Sequence, residues 1–440
     1  MARPVIAEMV VVGGGAIGAS IAYRLAQSGV GVTLVERRFP GGGISGASFS
    51  WVNSFDKKPQ AYHLFNVRGI GEHWALAAEL GSHDLLHLDG ALSWGVPEGA
   101  PGASPAGSNA GPGPAVPNAG SAAPAGRSAT STSTSTPTPA AGGSVPYKGQ
   151  NTDVGYGKLA AKVNATRTNG YLVEEITPDE AMELEPDLVI DRDSVPVVYL
   201  KPMEGWLDTA ALAHRLVTAA ARRYGLRLLQ GVSVHGVTRS GGQITGVRLS
   251  DGTEIAADMV INAAGPDGGR LAAMAGGLLP IQNSIGINLV TSPVATQLRR
   301  VVHAGAFQLR PEASTRVMVG GQSIDGTLVP GDPFALDDPR ALAELAGAAR
   351  VMPALRGASF EGARIGLRAI PADGLSAIGP DPLVGGLYHA ITHSGATLCA
   401  LVGRLACADL LGANPPELEP FRPARFATQA TRTGHAGSDE

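Results

Sequence analysis

The chain has few cysteines, little charge of either sign and no long apolar run. Its two cysteines in 440 residues cannot staple a protein of this size. Cys399 and Cys407 lie in an expected helix and read as thiols on its buried side. A formal net charge of −4 offers no footing for nucleic acid. No uncharged apolar run reaches the length of a membrane span, and Met1 to Glu8 carries no apolar stretch that would make a secretory leader. A cytoplasmic globular protein is expected, long enough for two domains or one large interleaved one. No metal ligand set is assigned.

Glycine, by contrast, is abundant, with 60 residues. A Gly-x-Gly-x-x-Gly spacing alone therefore says little, and context has to make it specific. The context is Val10-Val11-Val12-Gly13-Gly14-Gly15-Ala16-Ile17-Gly18. A β-branched run predicts a buried strand, the glycines turn the chain, and a helix follows to about Gln27. A second apolar run, Val32 to Val35, ends in Glu36. This is a βαβ unit with a dinucleotide fingerprint. Gly13 permits the tight turn, Gly15 lets the backbone approach a pyrophosphate, and Gly18 lets helix and strand pack closely. The N–H groups at the helix start, around Ala16 and Ile17, favour phosphate. Glu36 is placed for ribose hydroxyls and opposes the 2′-phosphate of NADP, leaving FAD and NAD open.

Further along, Ala61 to Leu80 predicts a helix stopped at Gly81, and Ala91 to Trp94 a short strand. From Pro97 to about Pro146, Ala, Gly, Pro, Ser and Thr make up nearly everything. Such a stretch cannot bury enough surface to offset its ordering entropy. Residues 97–168 are expected to be a disordered or weakly ordered insertion, and 428–440 a flexible tail. Thr177-Pro178-Asp179-Glu180 is a capping box opening a short helix. Val197 to Leu200 reads as a strand, and Asp208 or Thr209 caps a helix ending near Gly225. Strands follow at 227–229, 233–237, 244–249 and 254–260, leading into Asn262-Ala263-Ala264-Gly265. Ile281 to Thr291 and Ala306 to Gln322 alternate like long antiparallel strands, and Pro339 to Met352 predicts a helix. Leu387 to Ile391 is a strand, followed by His393-Ser394-Gly395-Ala396-Thr397 opening a helix to about Leu411.

Five stretches in this order resemble the FAD-dependent amino-acid and amine oxidoreductases that include D-amino-acid oxidase, glycine oxidase and sarcosine oxidase. They are Gly13–Gly18 with Glu36, the Gly46-Ala47-Ser48 loop, the strands ending at Gly265, Gly366-Leu367-Arg368 through Gly379, and Leu387 to Leu411. The resemblance implies an α/β fold with a Rossmann-type FAD-binding domain and a discontinuous antiparallel-sheet substrate domain. The FAD domain would comprise 1–94, 205–276 and 357–411, the substrate domain 171–204 and 277–356. It implies that Glu36 and Arg37 hold the adenosine ribose and that Val234 meets adenine through its backbone. Ser45, Ala47 and Ser48 would line the pyrophosphate and flavin approach, with Ala264 and Gly265 close by. Gly395, Ala396 and Thr397 would abut the isoalloxazine ring. Arg368 would pair with a substrate carboxylate, as a guanidinium fork suits. His393 stands where some relatives carry a second arginine, and it is the other candidate catalytic residue. Gly366 and Ser50 occupy positions where relatives attach flavin covalently, so FAD is expected to be non-covalent.

The activity implied is oxidation of a C–N bond in an amino acid or secondary amine. Hydride passes to flavin N5, the imine hydrolyses, and O2 or another acceptor takes the electrons. Two rivals stand at this level: an NAD-dependent dehydrogenase, and a flavin-containing subunit with an electron-relay or structural role.

Overall fold

In the computed structural model, which describes residues 8–95, 155–328 and 333–427, the Val10–Val12 run lies in the middle of a six-stranded sheet. The strand order is Ala377–Pro380, Leu387–Ile391, Met259–Asn262, Glu8–Val12, Gly31–Glu36, Arg227–Gln230. All neighbours are parallel except the Ala377–Pro380 edge. The strands are apolar at successive positions because both faces are covered. Met9, Val11 and Leu34 pack with the helices Ala16–Gln27, Thr209–Tyr224 and Gly395–Leu410. Val10, Val12 and Val35 pack against the three-stranded meander Val234–Ser240, Gln243–Leu249, Glu254–Ala256. Each fully buried valine contributes about 1.5–3 kcal/mol. The chain leaves Glu8–Val12 for Gly31–Glu36 on one side and returns as Met259–Asn262 on the other. That reversal opens a crevice beyond Val12, where doubly wound sheets bind ligands.

A second sheet has eight strands, ordered Phe360–Pro371, Ile281–Thr291, Arg316–Gly320, Phe307–Glu312, Val301–Ala304, Ala91–Trp94, Val198–Lys201, Glu174–Ile176. It is antiparallel except where Ala91–Trp94 pairs with Val301–Ala304. Its two faces differ in character. Leu92, Val302, Leu309, Val319, Ile287 and Leu289 share an apolar core with Ala341, Leu345 and Ala348 of the helix Pro339–Val351. The opposite face, set by the same alternation, carries Lys201, Ser93, His303, Gln308, Arg310, Asn288 and Arg368. All but Arg368 are buried. Six buried polar side chains on one sheet face mark a face built for something other than packing.

Local signals hold where they are local. Thr177 and Glu180 form the reciprocal capping box, Asp208 caps Thr209–Tyr224, and Gly81 and Gly225 end their helices in the left-handed conformation. Several expectations need correction. Residues Tyr156–Thr168, read as part of a disordered insertion, form a helix that buries Leu159, Val163 and Thr166. Three buried positions among polar neighbours were too sparse a pattern to see. Residues 97–154 of that insertion and the 428–440 tail lie outside the described residues. The expected strand 254–260 breaks after Ala256, and Met259–Asn262 joins the other sheet. The expected strand 306–322 is a hairpin, Phe307–Glu312 and Arg316–Gly320. Its turn uses Ser314 and Thr315 at φ 60° and 57°, so no glycine announced it. Val301–Ala304 had no signal of its own. Finally, Ala91–Trp94 and Phe360–Pro371 belong to the eight-stranded sheet, not to the dinucleotide-binding unit. Alternation identifies a strand but not its partner.

Candidate active site

The fingerprint turn sits at the mouth of the crevice. Gly13 has φ +104°, a conformation that favours glycine, and a Cβ there would strike the Ala263 carbonyl. The helix Ala16–Gln27 starts without a side-chain cap from Gly15 and without an acidic residue in its first turn. Its amides around Ala16, Ile17 and Gly18 are therefore set for an anion. Ser45 already reaches this point, its Oγ accepting from Ala16 N at 2.9 Å. Glu36 is buried at the end of the second strand. Its Oε2 accepts from Gly14 N at 2.7 Å and its Oε1 from Arg38 N at 2.8 Å, so it braces the turn directly. Arg37 pairs with Asp267 at 2.7 Å, next to Ala264 and Gly265. Gly265 has φ +56° and open space beside it. Val234 is buried at the start of the meander and pairs with Leu249.

A second helix start lies beside the first. Gly395–Leu410 also begins with no side-chain cap and no acidic residue in its first turn. A Cβ on Gly395 would meet only Ile17 Cγ1, at 3.9 Å. The two helices pack closely because Gly403 lies on Ser20; a Cβ there would come 2.7 Å from Ser20 Cβ. Gly69 of the helix Gln60–Leu80 likewise lies against the Thr397 carbonyl. His73 Nε2 donates to the carbonyls of Ala396 (2.8 Å) and Thr397 (3.0 Å), and burial pushes its pKa down to about 4. Thr397 Oγ1 accepts from Asn53 N at 3.1 Å.

Residues 44–57 cross the polar face of the eight-stranded sheet strand by strand. Gly366 faces Ile44 and Ala47. Asn288 Nδ2 donates to the Ala47 carbonyl at 2.7 Å, and Arg310 Nε donates to that of Phe49 at 2.7 Å. The Trp51 ring packs on His303 at 4.2 Å between centroids. The Lys201 ammonium lies 4.6 Å from the Phe55 centroid. Ser50 and Asp56 hold φ 58° and 53°, two of the few non-glycine residues on the left-handed side. Backbone of that kind persists only where its surroundings over-determine it.

Arg368 and His393 are brought to the same region. Arg368 Nη2 pairs with Asp325 Oδ2 at 2.6 Å, and Nη1 donates to the Ile285 carbonyl at 3.0 Å. Its guanidinium lies over Gly286, where a side chain would collide with it. His393 is half-buried; desolvation first, then the charges of Lys57 and Arg368, push its pKa down to about 3, which favours the neutral imidazole. The Tyr62 ring lies 6.0 Å from it.

Four residues that sequence reasoning did not single out complete the region. Lys57 Nζ and Tyr62 Oη both donate to Ser394 Oγ, at 3.1 and 2.8 Å. Lys201 Nζ donates to Ser93 Oγ at 2.6 Å. Glu204 accepts from Tyr171 Oη and Trp51 Nε1, both at 3.0 Å. Burial lowers both lysines to about 8 and raises Glu204 to about 7. In sequence, Asp56-Lys57-Lys58 looks like a solvated charge run, and nothing local marks its middle member as buried. Among the described residues, no His/Cys/Asp/Glu cluster could hold a metal ion, and no helix is long and apolar enough to cross a membrane.

Comparison with known proteins gives a consistent picture. The family model described as FAD dependent oxidoreductase matches residues 8–408. A stretch is 28% identical to D-amino acid dehydrogenase of Xanthobacter autotrophicus, covering 58% of this chain and 61% of that protein. Another is 29% identical to glycine oxidase of Geobacillus kaustophilus, covering 55% and 62%. A third is 28% identical to hydrogen cyanide synthase subunit HcnC of Pseudomonas aeruginosa, covering 47% and 50%. The chain thus spans about half to three-fifths of the length of these curated relatives. In fold it matches the G. kaustophilus glycine oxidase structure with a TM-score of 0.70 at 21% identity, over 94% of this chain and 98% of that one. L-proline dehydrogenase from P. horikoshii matches with a TM-score of 0.71 at 20% identity, over 97% and 99%.

Proposed function

The chain belongs to the FAD dependent oxidoreductase family, and on that premise we propose that it oxidises the C–N bond of an amino acid or secondary amine. FAD, when bound, would supply the hydride acceptor for the carbon bearing the nitrogen. The nitrogen lone pair closes the C=N bond, and water then adds to the imine and releases the amine and a carbonyl product. O2 or another acceptor would then take the electrons.

The observation that carries this reading is the convergence of two uncapped helix starts, at Ala16 and Gly395, opposite a polar sheet face. The residues fit the cofactor. The first helix start, with Ser45 and Gly15, suits the pyrophosphate, and Glu36 and Arg37 the ribose. Val234, Ala264 and Gly265 line the crevice on its other side. The segment from Ala47 and Ser48 leads to Gly395, Ala396 and Thr397, where the ring would lie. That helix start stabilises negative charge on the reduced ring. Gly366 is hemmed in by Ile44 and by Ala47, which a Cβ would approach to 3.0 Å, so this site offers no nucleophile to the flavin. We read the FAD as held non-covalently.

The remaining steps are positioning. Arg368 would anchor the substrate carboxylate, sharing its fork with Asp325. Neutral His393, beside Tyr62, would border the reacting nitrogen of the uncharged amine. The segment 44–57, buried at Val52–Phe55, would limit access of bulk water to the reacting carbon. Anaerobic mixing with amino acids and N-methyl amino acids tests the assignment. At least one should bleach the long-wavelength flavin band, and a flavin that none of them reduces would sink the reading.

A further inference from the structure

We propose that the strand Phe360–Pro371 is the seam of a homodimer, pairing antiparallel with the same strand of a second copy and joining two eight-stranded sheets into one. The inference does not rest on the reading of the site as an amine oxidase. The strand is twelve residues long and forms the edge of its sheet, with Ile281–Thr291 on one side only. Among the described residues, the backbone of 361–370 makes no hydrogen bond except those to Ile281–Thr291. Every second residue therefore turns its N–H and C=O outward. Long edges are ordinarily guarded by a lysine, a proline or a bulge. The middle of this one has none: its pairing is irregular only near Phe360, and Pro371 lies at the far end. Arg364 and Arg368 are drawn back over the sheet by Glu312 at 3.1 Å and Asp325 at 2.6 Å. On the opposite face, the one that carries the helix Pro339–Val351, Ile365 and Leu367 are 43% and 38% exposed.

The occupant is a second copy because the strand is complementary to itself. A two-fold axis normal to the sheet keeps each face continuous, so residues directly opposite one another share a face. Centred on Ile365, the pairing sets Ile365 against its own copy and Leu367 against the partner's Ala363. On the polar face it sets Arg364 against the partner's Gly366 and Arg368 against the partner's Gly362. Large meets small on both faces, and no charge meets a like charge. Moving the centre by one residue sets Arg364 against itself or against Arg368. Like charges directly opposite are destabilising. The run Gly362-Ala363-Arg364-Ile365-Gly366-Leu367-Arg368 thus selects one register. Such a contact is isologous and closes on itself as a dimer, leaving this edge unavailable to a third chain.

Sedimentation equilibrium on the full-length holoprotein should give twice the chain mass of 44.7 kDa. Ile365→Lys places two ammonium groups face to face at the axis and should weaken self-association at least tenfold, with FAD content at the parental level. Ile365→Cys tests the register. Oxidation with diamide should link two chains through it, because facing Cα atoms in an antiparallel pair lie about 4.5–5.5 Å apart, within disulfide reach. Leu367→Cys should not link to itself, since the two copies of that residue are offset by roughly 13 Å along the strands. Mixed with Ala363→Cys, it should form a linked pair. The native Cys399 and Cys407 are buried and stand apart from this chemistry. The cysteine variants decide the matter if Ile365→Lys does not fold. A parent that is monomeric at its highest soluble concentration overturns the proposal, whether the edge is open or is covered by another segment of the chain. A dimer that Ile365→Lys leaves as tight as the parent also overturns it, as does equal self-linking of Ile365→Cys and Leu367→Cys.

Discussion

Arg368 and Asp325 form a 2.6 Å ion pair laid over Gly286, with Asp325 Oδ1 also accepting from Ile287 N at 2.8 Å. Asp325 is largely buried, and burial raises its pKa against the pull of Arg368. The residue proposed to hold a substrate carboxylate therefore already holds one of the protein's own. Two effects of removing it must be separated. Arg368→Ala strands a carboxylate and should cost about 1–3 kcal/mol, the lower part of the range for a pair that is partly exposed. Arg368→Ala combined with Asp325→Asn should recover most of that stability in denaturant unfolding. It should still bleach poorly with every carboxylate-bearing amine. A double variant reduced as fast as the parent would move the anchor elsewhere.

Flavin release gives a second expectation. With glycine at 366 and Ser50 engaged with Thr209 Oγ1 at 2.7 Å, neither position offers a bond to the ring. Acid or heat precipitation should leave intact FAD in the supernatant. Flavin that sediments with the protein would refute non-covalent binding.

What could be read in advance follows from range. The Gly13–Gly18 turn, the Thr177 capping box and the Gly395 helix start are fixed by neighbours within a few residues, and all three stand as read. Phe360–Pro371 was visible as a strand, but its eleven-residue pairing with Ile281–Thr291 is a contact between distant segments. That pairing, not the local pattern, decides which sheet it joins. Lys57 is the sharper case. Flanking Asp56 pairs with exposed Lys58, while Lys57 turns inward to a serine 337 positions away. Lys201 and Glu204 are hidden the same way, on a strand end and turn whose burial depends on residues 51–57 crossing above them.

The insertion supplies a third prediction. Residues 97–146 are almost free of large apolar side chains, and loop-closure entropy depends only weakly on length. Replacing them with a short Gly/Ser linker should leave FAD content and thermal midpoint near parental values. Extending the deletion through Thr168 should not. It removes buried Leu159 and Val163, the Thr166 Oγ1 acceptor for Asp56 N at 3.2 Å, and the Lys162–Asp56 pair. A loss of several kcal/mol is expected from two large apolar side chains alone, about 1.5–3 kcal/mol each. Equal stability of the two deletions would mean that the helix does not pack on the 44–57 segment.

Acid should weaken the protein through its buried histidines before it protonates most carboxylates. His73 has a folded pKa of about 4, against 6.5 when unfolded. A depressed histidine pKa means that the unfolded chain binds the proton first. Stability is therefore full above about pH 6.5 and falls as the pH drops towards 4, where the folded state begins to titrate as well. Between pH 7 and pH 5 this group alone should cost about 2 kcal/mol. His393, pushed lower still, acts in the same direction. Glu204 acts in the opposite sense, because its raised pKa favours the folded state as the pH falls from about 7 to 4.5. The variant His73→Gln isolates one term. Its side-chain amide can still donate to the Ala396 and Thr397 carbonyls but does not titrate. Urea unfolding at pH 7 and pH 5 should show a stability loss about 2 kcal/mol smaller in His73→Gln than in the parent. An equal loss in both proteins would show that His73 is not buried neutral against the start of the helix Gly395–Leu410.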